Sequence, residues 1–285
     1  MKNDALGDRM KTYEGAETGR CLMPLLPALA RLDGRSFHAF VHGLDQPYDV
    51  RMSGCMSATT EWLARETVCD MAYTQSDEIS LVYYSDSYDS QVFFDRKIQK
   101  MTSVLASMAT AYFNMRALHC LPSFSDDGLP VEWDENCGAS RPPAFFDCRV
   151  WVVPTKTEAA NAILWRELDA SKNSMSMAAR SKFSHAELAN KTGPQMQEML
   201  FSKHGINWND YPAFFKRGSY VRTRRVLREL TAEEMANIPE KFRPKPGDKI
   251  LRSEVATMEM PQFAKIANRE GVIFDGEDPQ VSEKA

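Results

Sequence analysis

The sequence predicts an α+β fold, an antiparallel sheet of the ferredoxin-like, split βαβ kind with helices on one face, followed by a mainly helical half. Three observations predict it. Apolar runs and helical periods alternate through residue 154 in the order strand, helix, strand, strand, helix, strand. Turn formers stand at the junctions, above all Asp33-Gly34 and Ser76-Asp77. After Pro154, three S/T-x-x-E strings mark helix starts.

In chain order, the apolar run at 23–32 stops at Asp33-Gly34 and reads as a central strand. Residues 54–71 keep a helical period, with Trp62, Leu63, Val68 and Met71 available for one face. YTQSDEIS, residues 73–80, reads as two short strands joined at its acids. A second helix is expected at 96–118 and a strand at 144–153, where FFDCRVWVV meets Pro154. The later helix starts pair Thr155 with Glu158, Ser184 with Glu187 and Thr231 with Glu234. GINWNDYPAFFKRGS, residues 205–219, is too rich in turn formers for a helix and reads as an ordered loop or short strands. The expected organisation is an arm at 1–22, a core at 23–154, a helical and loop region at 155–274 and a disordered tail at 275–285.

With 43% hydrophobic residues in 285, the chain has ample material for a core. The first twenty residues are polar and mixed in charge, and no apolar run approaches the roughly 20 residues of a membrane span, so a cytoplasmic protein is expected. Six cysteines without C-x-x-C spacing and five histidines without H-x-x-x-H spacing predict neither a zinc site nor a disulfide framework, but buried or half-buried free thiols. The net charge of −4 argues against an indiscriminate polyanion binder. Residues 216–252 nevertheless hold eleven Lys or Arg against five Asp or Glu, which suits either a nucleic-acid contact or a solvated charged face.

The acids of YTQSDEIS ask for an explanation, because a carboxylate left inside a sheet costs several kcal/mol or more unless something positive meets it. A surface turn, a salt bridge and a metal all answer. In a split βαβ sheet the first strand lies beside the hairpin, so Asp33 and Asp77 come face to face. Two carboxylates that close share a proton or a divalent cation, and Mg²⁺ suits hard oxygen ligands completed by water and phosphate.

RLDGRSFHAF at 31–40, YTQSDEIS at 73–80, FDCRVWVVP at 146–154, WRELDASKNS at 165–174 and FSKHGINWNDYPAFFKRGS at 201–219 together resemble the tRNA-His guanylyltransferase superfamily. These enzymes add nucleotides to RNA 5′ ends in the 3′-to-5′ direction, and the match runs in order over about 25–260. The resemblance implies a polymerase-palm fold, tRNA as partner, ATP and GTP or another NTP as substrates, and a homotetramer. It makes Asp33 and Asp77 the ligands of two Mg²⁺ ions, with the Gly34 carbonyl beside them and Ser76 and Glu78 in support. Backbone amides of Gly34, Arg35, Ser36, Phe37 and His38 would cradle a triphosphate. Lys97 and Lys100 fall where the family keeps basic residues for triphosphate, with Arg96 alongside, and Asp49 falls where it contacts base or sugar. For RNA the candidates are Asn173, Lys203, Lys216 and Arg217. Trp208, Tyr211, Phe214 and Phe215 read either as base-stacking platforms or, beside a proline, as core.

Two departures are informative. Ser171 stands where the eukaryotic string carries the histidine that reads the tRNA-His anticodon, and the continuation resembles the bacterial and archaeal branch that repairs 5′-truncated tRNAs. Cys148 replaces a usual glycine. Template-directed 5′-end repair is therefore the expected activity, with tRNA-His-specific G−1 addition as the alternative. A nucleotidyl cyclase or a non-catalytic tRNA-binding protein is the alternative of another class.

Overall fold

The computed structural model describes residues 5–88, 92–124, 130–131, 142–245 and 247–282. In order its elements are α1 (Ala5–Thr18), β1 (Ala28–Gly34), α2 (Phe37–Phe40), α3 (Val50–Thr67), β2 (Met71–Gln75), β3 (Glu78–Tyr83), α4 (Ile98–Cys120), the minor pair β4 (Ser123–Phe124) and β5 (Pro130–Val131), and β6 (Phe146–Val152). There follow α5 (Lys156–Arg180), α6 (His185–Leu188), α7 (Gly193–His204), α8 (Ala213–Arg217), β7 (Ser219–Arg228), α9 (Ala232–Ala236) and β8 (Ile250–Met258).

The sheet order is β6-β1-β3-β2-β7-β8, antiparallel throughout. Its first four strands are the expected split βαβ arrangement. Strand alternation divides the core. Ala28, Ala30 and Leu32 turn to one face, where α3 and α4 close over them with Leu63, Met101, Leu105 and Phe113. Leu29, Val82, Met71 and Tyr73 turn to the other, where α5 brings Ala159, Ala160 and Ile163. The helices of the first half thus lie on one face as expected, and the first long helix of the second half covers the opposite one. A third cluster packs Leu200, Phe183 and Phe215 against the end of α5.

Helix α3 starts four residues earlier than its period suggests because Asp49 caps it, accepting from the amides of Arg51 and Met52. Capping boxes close at Ser184 with Glu187 and at Thr231 with Glu234, and Thr155 accepts from the Glu158 amide. Residues 205–219 contain a 3₁₀ turn, Trp208–Asp210, and the helix α8 rather than strands.

Two strands escape the sequence reading. β7 and β8 extend the sheet from within the stretch expected to be helical and basic, so residues 23–154 do not complete it. Ser219 to Arg222 pair with β2 and the Thr223 amide still reaches the Asp70 carbonyl at 3.2 Å; from Arg224 on, β7 pairs with β8 alone among the described residues. Past Arg222 no residue of either strand is fully buried, and only Val255 packs against the core, so the arm carries no clear alternation to read. The tail also differs from expectation: Arg222 and Arg224 bind Asp278, the Ala267 amide donates to Gln280 at 2.8 Å, and the Ser282 amide donates to Lys265 at 2.8 Å. It is pinned at least to Ser282. Of the described thiols all are free, Cys55 and Cys69 buried and Cys120 and Cys148 half-buried, but Cys21 is exposed, against expectation; Cys137 lies outside the described residues. No described helix is long and apolar enough to cross a membrane.

Candidate active site

The α5-facing side of the sheet changes character along the strands. Leu29 pairs with Val82 and Trp151, then Arg31 with Ser80 and Arg149, then Asp33 with Glu78 and Asp147. Two arginines directly across from each other repel, and the acids one step further along offset them. Arg31 and Arg149 both stand 3.7 Å from the Asp33 carboxylate, and Arg149 lies 3.4 Å from Asp147. Glu78 is held between Arg31 and the buried Arg166, which also reaches Asp169 at 3.2 Å. Glu78 is thus tied up in ion pairs at the site's edge.

Asp77 enters from the two-residue turn Ser76-Asp77 that joins β2 to β3, with Ser76 in the left-handed region at φ 52°. The Gly34 amide donates to the Asp77 carbonyl at 3.1 Å, which locks the end of β1 to the hairpin turn. Burial raises the Asp77 carboxyl to about 6, and the charges of Asp33 and Glu78 add to the rise while a hydrogen bond from Ser76 opposes it. No ion pair reaches Asp77 among the described residues. A half-buried acid without a cation, beside a second acid, fits a divalent ion, and two carboxylates plus the Gly34 carbonyl form a hard oxygen donor set of the kind Mg²⁺ completes with water and phosphate. No group of three or more His, Cys, Asp or Glu converges on one point among the described residues, so these two acids make a lean site.

Gly34 has a steric reason to be glycine: a Cβ there would sit 2.2 Å from the Phe37 ring. The expected five-amide cradle is narrower than the resemblance implies. Gly34 donates to Asp77, and Arg35 donates to the Phe145 carbonyl at 2.8 Å, leaving Ser36, Phe37 and His38, at the start of α2, as the amides without a partner among the described residues. Beside them lies a cavity of about 100 Å³ walled by Pro47, Met52, Gln75, Ser76, Met177 and Phe214. Asp49 also borders it, but its carboxylate caps α3, accepts from the Asp45 amide at 3.2 Å and is clamped by the Arg51 side chain. Burial alone would raise that group, yet these hydrogen bonds hold it at about 2. Asp49 shapes this wall with its bonding capacity already used.

Lys97 and Lys100 are not brought to the acids. Cys21 bridges Lys97, and the Leu22 amide donates to Arg96 at 2.9 Å, next to where β1 begins. Further along α4, Thr110 and Asn114 bond to Phe146 and Ala144 beside Gly34. At 1.5 Å per residue, the two lysines lie about 15 to 20 Å from the acid rim. Lys100 stands 5.8 Å over the Phe94 ring.

On the other side, Asn173 donates to Asp169 at 3.3 Å, and Ser174 donates to the Lys216 carbonyl, so Asn173, Lys216 and Arg217 share the junction of α5 and α8. The Lys216 ammonium donates to the Asn209 carbonyl and stands 5.6 Å over Trp208; burial lowers its pKa, and the Arg217 charge adds to the effect. Lys203 covers the Phe183 ring at 5.4 Å. Trp208, Tyr211 and Phe214 pack around the buried Phe215, which is the core reading of that aromatic cluster. Arg31, Arg149, Arg166 and Asp147 went unnoticed in the sequence, although the period-2 spacing of Arg31 with Asp33, and of Asp147 with Arg149, puts each pair on one strand face.

The sequence profile described as tRNAHis guanylyltransferase matches residues 7–154. A tRNA(His) guanylyltransferase of Neurospora crassa is 29% identical over 243 residues, spanning 77% of this chain and 77% of the relative. Among solved structures, a bacterial tRNA(His) guanylyltransferase-like protein in complex with ATP superposes with a TM-score of 0.72 at 32% identity, covering 94% of this chain and 99% of the other. A bacterial protein of the same description in complex with GTP gives 0.66 at 33%, covering 92% and 95%.

Proposed function

The chain belongs to the tRNAHis guanylyltransferase family and is a nucleotidyltransferase, and from that premise we propose that it extends tRNA 5′ ends in the 3′-to-5′ direction, templated by the opposing strand. The observation that supports this reading is the locking of the Asp77 turn to the end of β1 by the Gly34 hydrogen bond, which leaves a half-buried acid without an ion pair where phosphates would gather.

A 5′-monophosphate has no good leaving group. It first attacks the α-phosphorus of ATP, releasing pyrophosphate, and the RNA end becomes a 5′-adenylate. The 3′-hydroxyl of the incoming nucleotide then attacks the activated 5′-phosphorus, and AMP leaves. ATP and GTP, each held by a bacterial relative, are the nucleotides we assign to these steps. Asp33, Asp77 and the Gly34 carbonyl would hold Mg²⁺, which when bound neutralises phosphate charge and lowers the pKa of an attacking hydroxyl. Arg31 and Arg149 fix the Asp33 carboxylate, and Arg31 and Arg166 keep Glu78 turned aside. The amides of Ser36, Phe37 and His38 face the polyphosphate, and the cavity behind Ser76 receives the base. Asn173 and Arg217, with Lys203 and Lys216 nearer the core, border the RNA path. In this reading the protein is cytoplasmic and works as a homotetramer.

Repair is favoured over G−1 addition by Ser171, which replaces an anticodon-reading histidine. The test incubates the protein with Mg²⁺, ATP, labelled GTP and tRNAs lacking one 5′ nucleotide, varying the opposing base. Incorporation that follows the opposing base is expected; incorporation only on tRNA-His, whatever the opposing base, would replace this reading with identity setting. Mg²⁺ alone should also raise the melting temperature, by the equivalent of about 2.7 kcal/mol at a hundredfold excess over Kd, and Asp77→Asn should remove that rise.

A further inference from the structure

Helix α8 separates two cavities, and Phe214 belongs to the walls of both. The first is the small cavity beside Ser76. The second, of about 460 Å³, opens on the opposite side of α8 between α5 and the end of β8, large enough for a nucleobase with its ribose. Its wall combines Phe214, Met258 and Met260 with three charged groups, Glu167, Glu259 and Arg217.

Glu167 is the unusual member. It is 3% exposed, and no ion pair reaches it among the described residues. One oxygen accepts from the Phe263 amide at 2.7 Å and the other from the Tyr220 hydroxyl at 2.8 Å. A carboxylate has about four acceptor sites, so each oxygen keeps capacity for a second donor. The two bonds it makes hold it rigidly by α5, β7 and the Phe263–Lys265 turn, and the stacked pair Tyr220 and Phe263, with centroids 5.6 Å apart, stiffens the mount. Rigid, dehydrated acceptors with spare capacity select ligands that offer two parallel donors. Among nucleobases, guanine does so through N1–H and its 2-amino group; adenine has no N1–H, and cytosine offers one amino group beside an acceptor. Phe214 and the two methionines supply the apolar surfaces that a flat base stacks on, and Arg217 the cation that hydrogen-bonds to O6 or N7.

We propose that this second cavity is a guanine-selective pocket, with Glu167 reading the N1–H and 2-amino edge. It rests on the reading of the chain as an enzyme of nucleotides and RNA, and it assigns a base-recognition role to a place across α8 from the cavity beside Ser76. The guanine comes either from free GTP or from an unpaired residue of the RNA.

The test measures guanosine, inosine and adenosine binding by calorimetry in the presence of a chelator, so that phosphate and metal contribute nothing. Guanosine should bind about tenfold or more tightly than adenosine, with inosine between. Glu167→Gln should erase most of that preference. Because Glu167 also anchors Tyr220 and Phe263, Thr257→Trp serves as a second variant: Thr257 is exposed at the cavity's rim, and the larger ring should block guanosine about tenfold without touching the core. Binding of GTP and of a short RNA with an unpaired 5′ guanosine, each to wild type and Thr257→Trp, then identifies the source; weakening of either supports the pocket. Equal affinity for guanosine and adenosine, or guanosine binding unmoved by both variants, would overturn it. Guanosine selectivity in a protein that adds no nucleotides to tRNA would sink the proposed activity and leave the pocket standing.

Discussion

The two ends of the sheet each hold a half-buried aspartate whose carboxyl is raised to about 6, Asp77 at one and Asp70 at the other. Their neighbours differ in sign. Burial drives both upward, but around Asp70 everything else opposes it: the Tyr84 amide donates to it at 2.6 Å, and Arg225 and Lys156 supply positive charge. Around Asp77 only local hydrogen bonds oppose the rise, and Asp33 and Glu78 reinforce it. A raised carboxyl alone does not mark a site. A carboxyl whose neighbours push it further up is the stronger candidate, because a bound cation would relieve it.

The comparison can be broken most decisively at the acids. Asp33→Ala and Asp77→Ala should each lower nucleotide addition by about a thousandfold or more, with melting temperatures close to wild type, whereas Asp70→Asn should stay within about twofold in the same assay. A comparable loss in Asp70→Asn would erase the distinction.

A stability measurement sharpens it. Folded Asp70 keeps its proton to about pH 6 while the unfolded carboxyl releases it at its ordinary 3.8, so the folded state binds more protons between those values. Stability therefore falls as pH rises through that window, by at most about 3 kcal/mol from this group. Urea unfolding should find Asp70→Asn more stable than wild type at pH 7, with the gap closing toward pH 4.

Smaller effects follow. Gly34→Ala pushes a methyl into the Phe37 ring and should cost about 2 kcal/mol in chemical denaturation, with a raised KM for nucleotide because the open amides of α2 shift with that ring. The smallest change is expected from Lys97→Ala with Lys100→Ala, whose side chains lie at the Asp70 end: addition should change by less than about threefold, and a larger loss would mean that the far end serves the chemistry.

How much of this was legible in the sequence depended on whether a segment had two different faces. β1, the 73–80 hairpin and β6 each bury at least part of one face, so their apolar runs and turn residues announced them, and the approach of the Asp77 turn to the end of β1 followed from strand order. The β7 and β8 arm has no fully buried residue past Arg222, so Arg224, Arg225 and Arg228 read only as charge. Asp49 shows a different limit. Its position suggested a ligand contact, but a helix N-cap and a ligand ask for the same residue, and only the bonds to Asp45, Arg51 and Met52 reveal that the carboxylate is spent. Glu167 hid in a helical string because nothing in its spacing tells that Tyr220 and Phe263, 53 and 96 residues away, would come to it.

The sheet's composition also governs how the polypeptide can be divided. A fragment ending at Val152 would contain both acids, yet β2 would become a bare edge and Leu29, Met71, Tyr73 and Val82 would face water without α5. Such a fragment should aggregate rather than work, so on a ribosome the catalytic rim must wait, unfinished, for more than a hundred further residues to emerge.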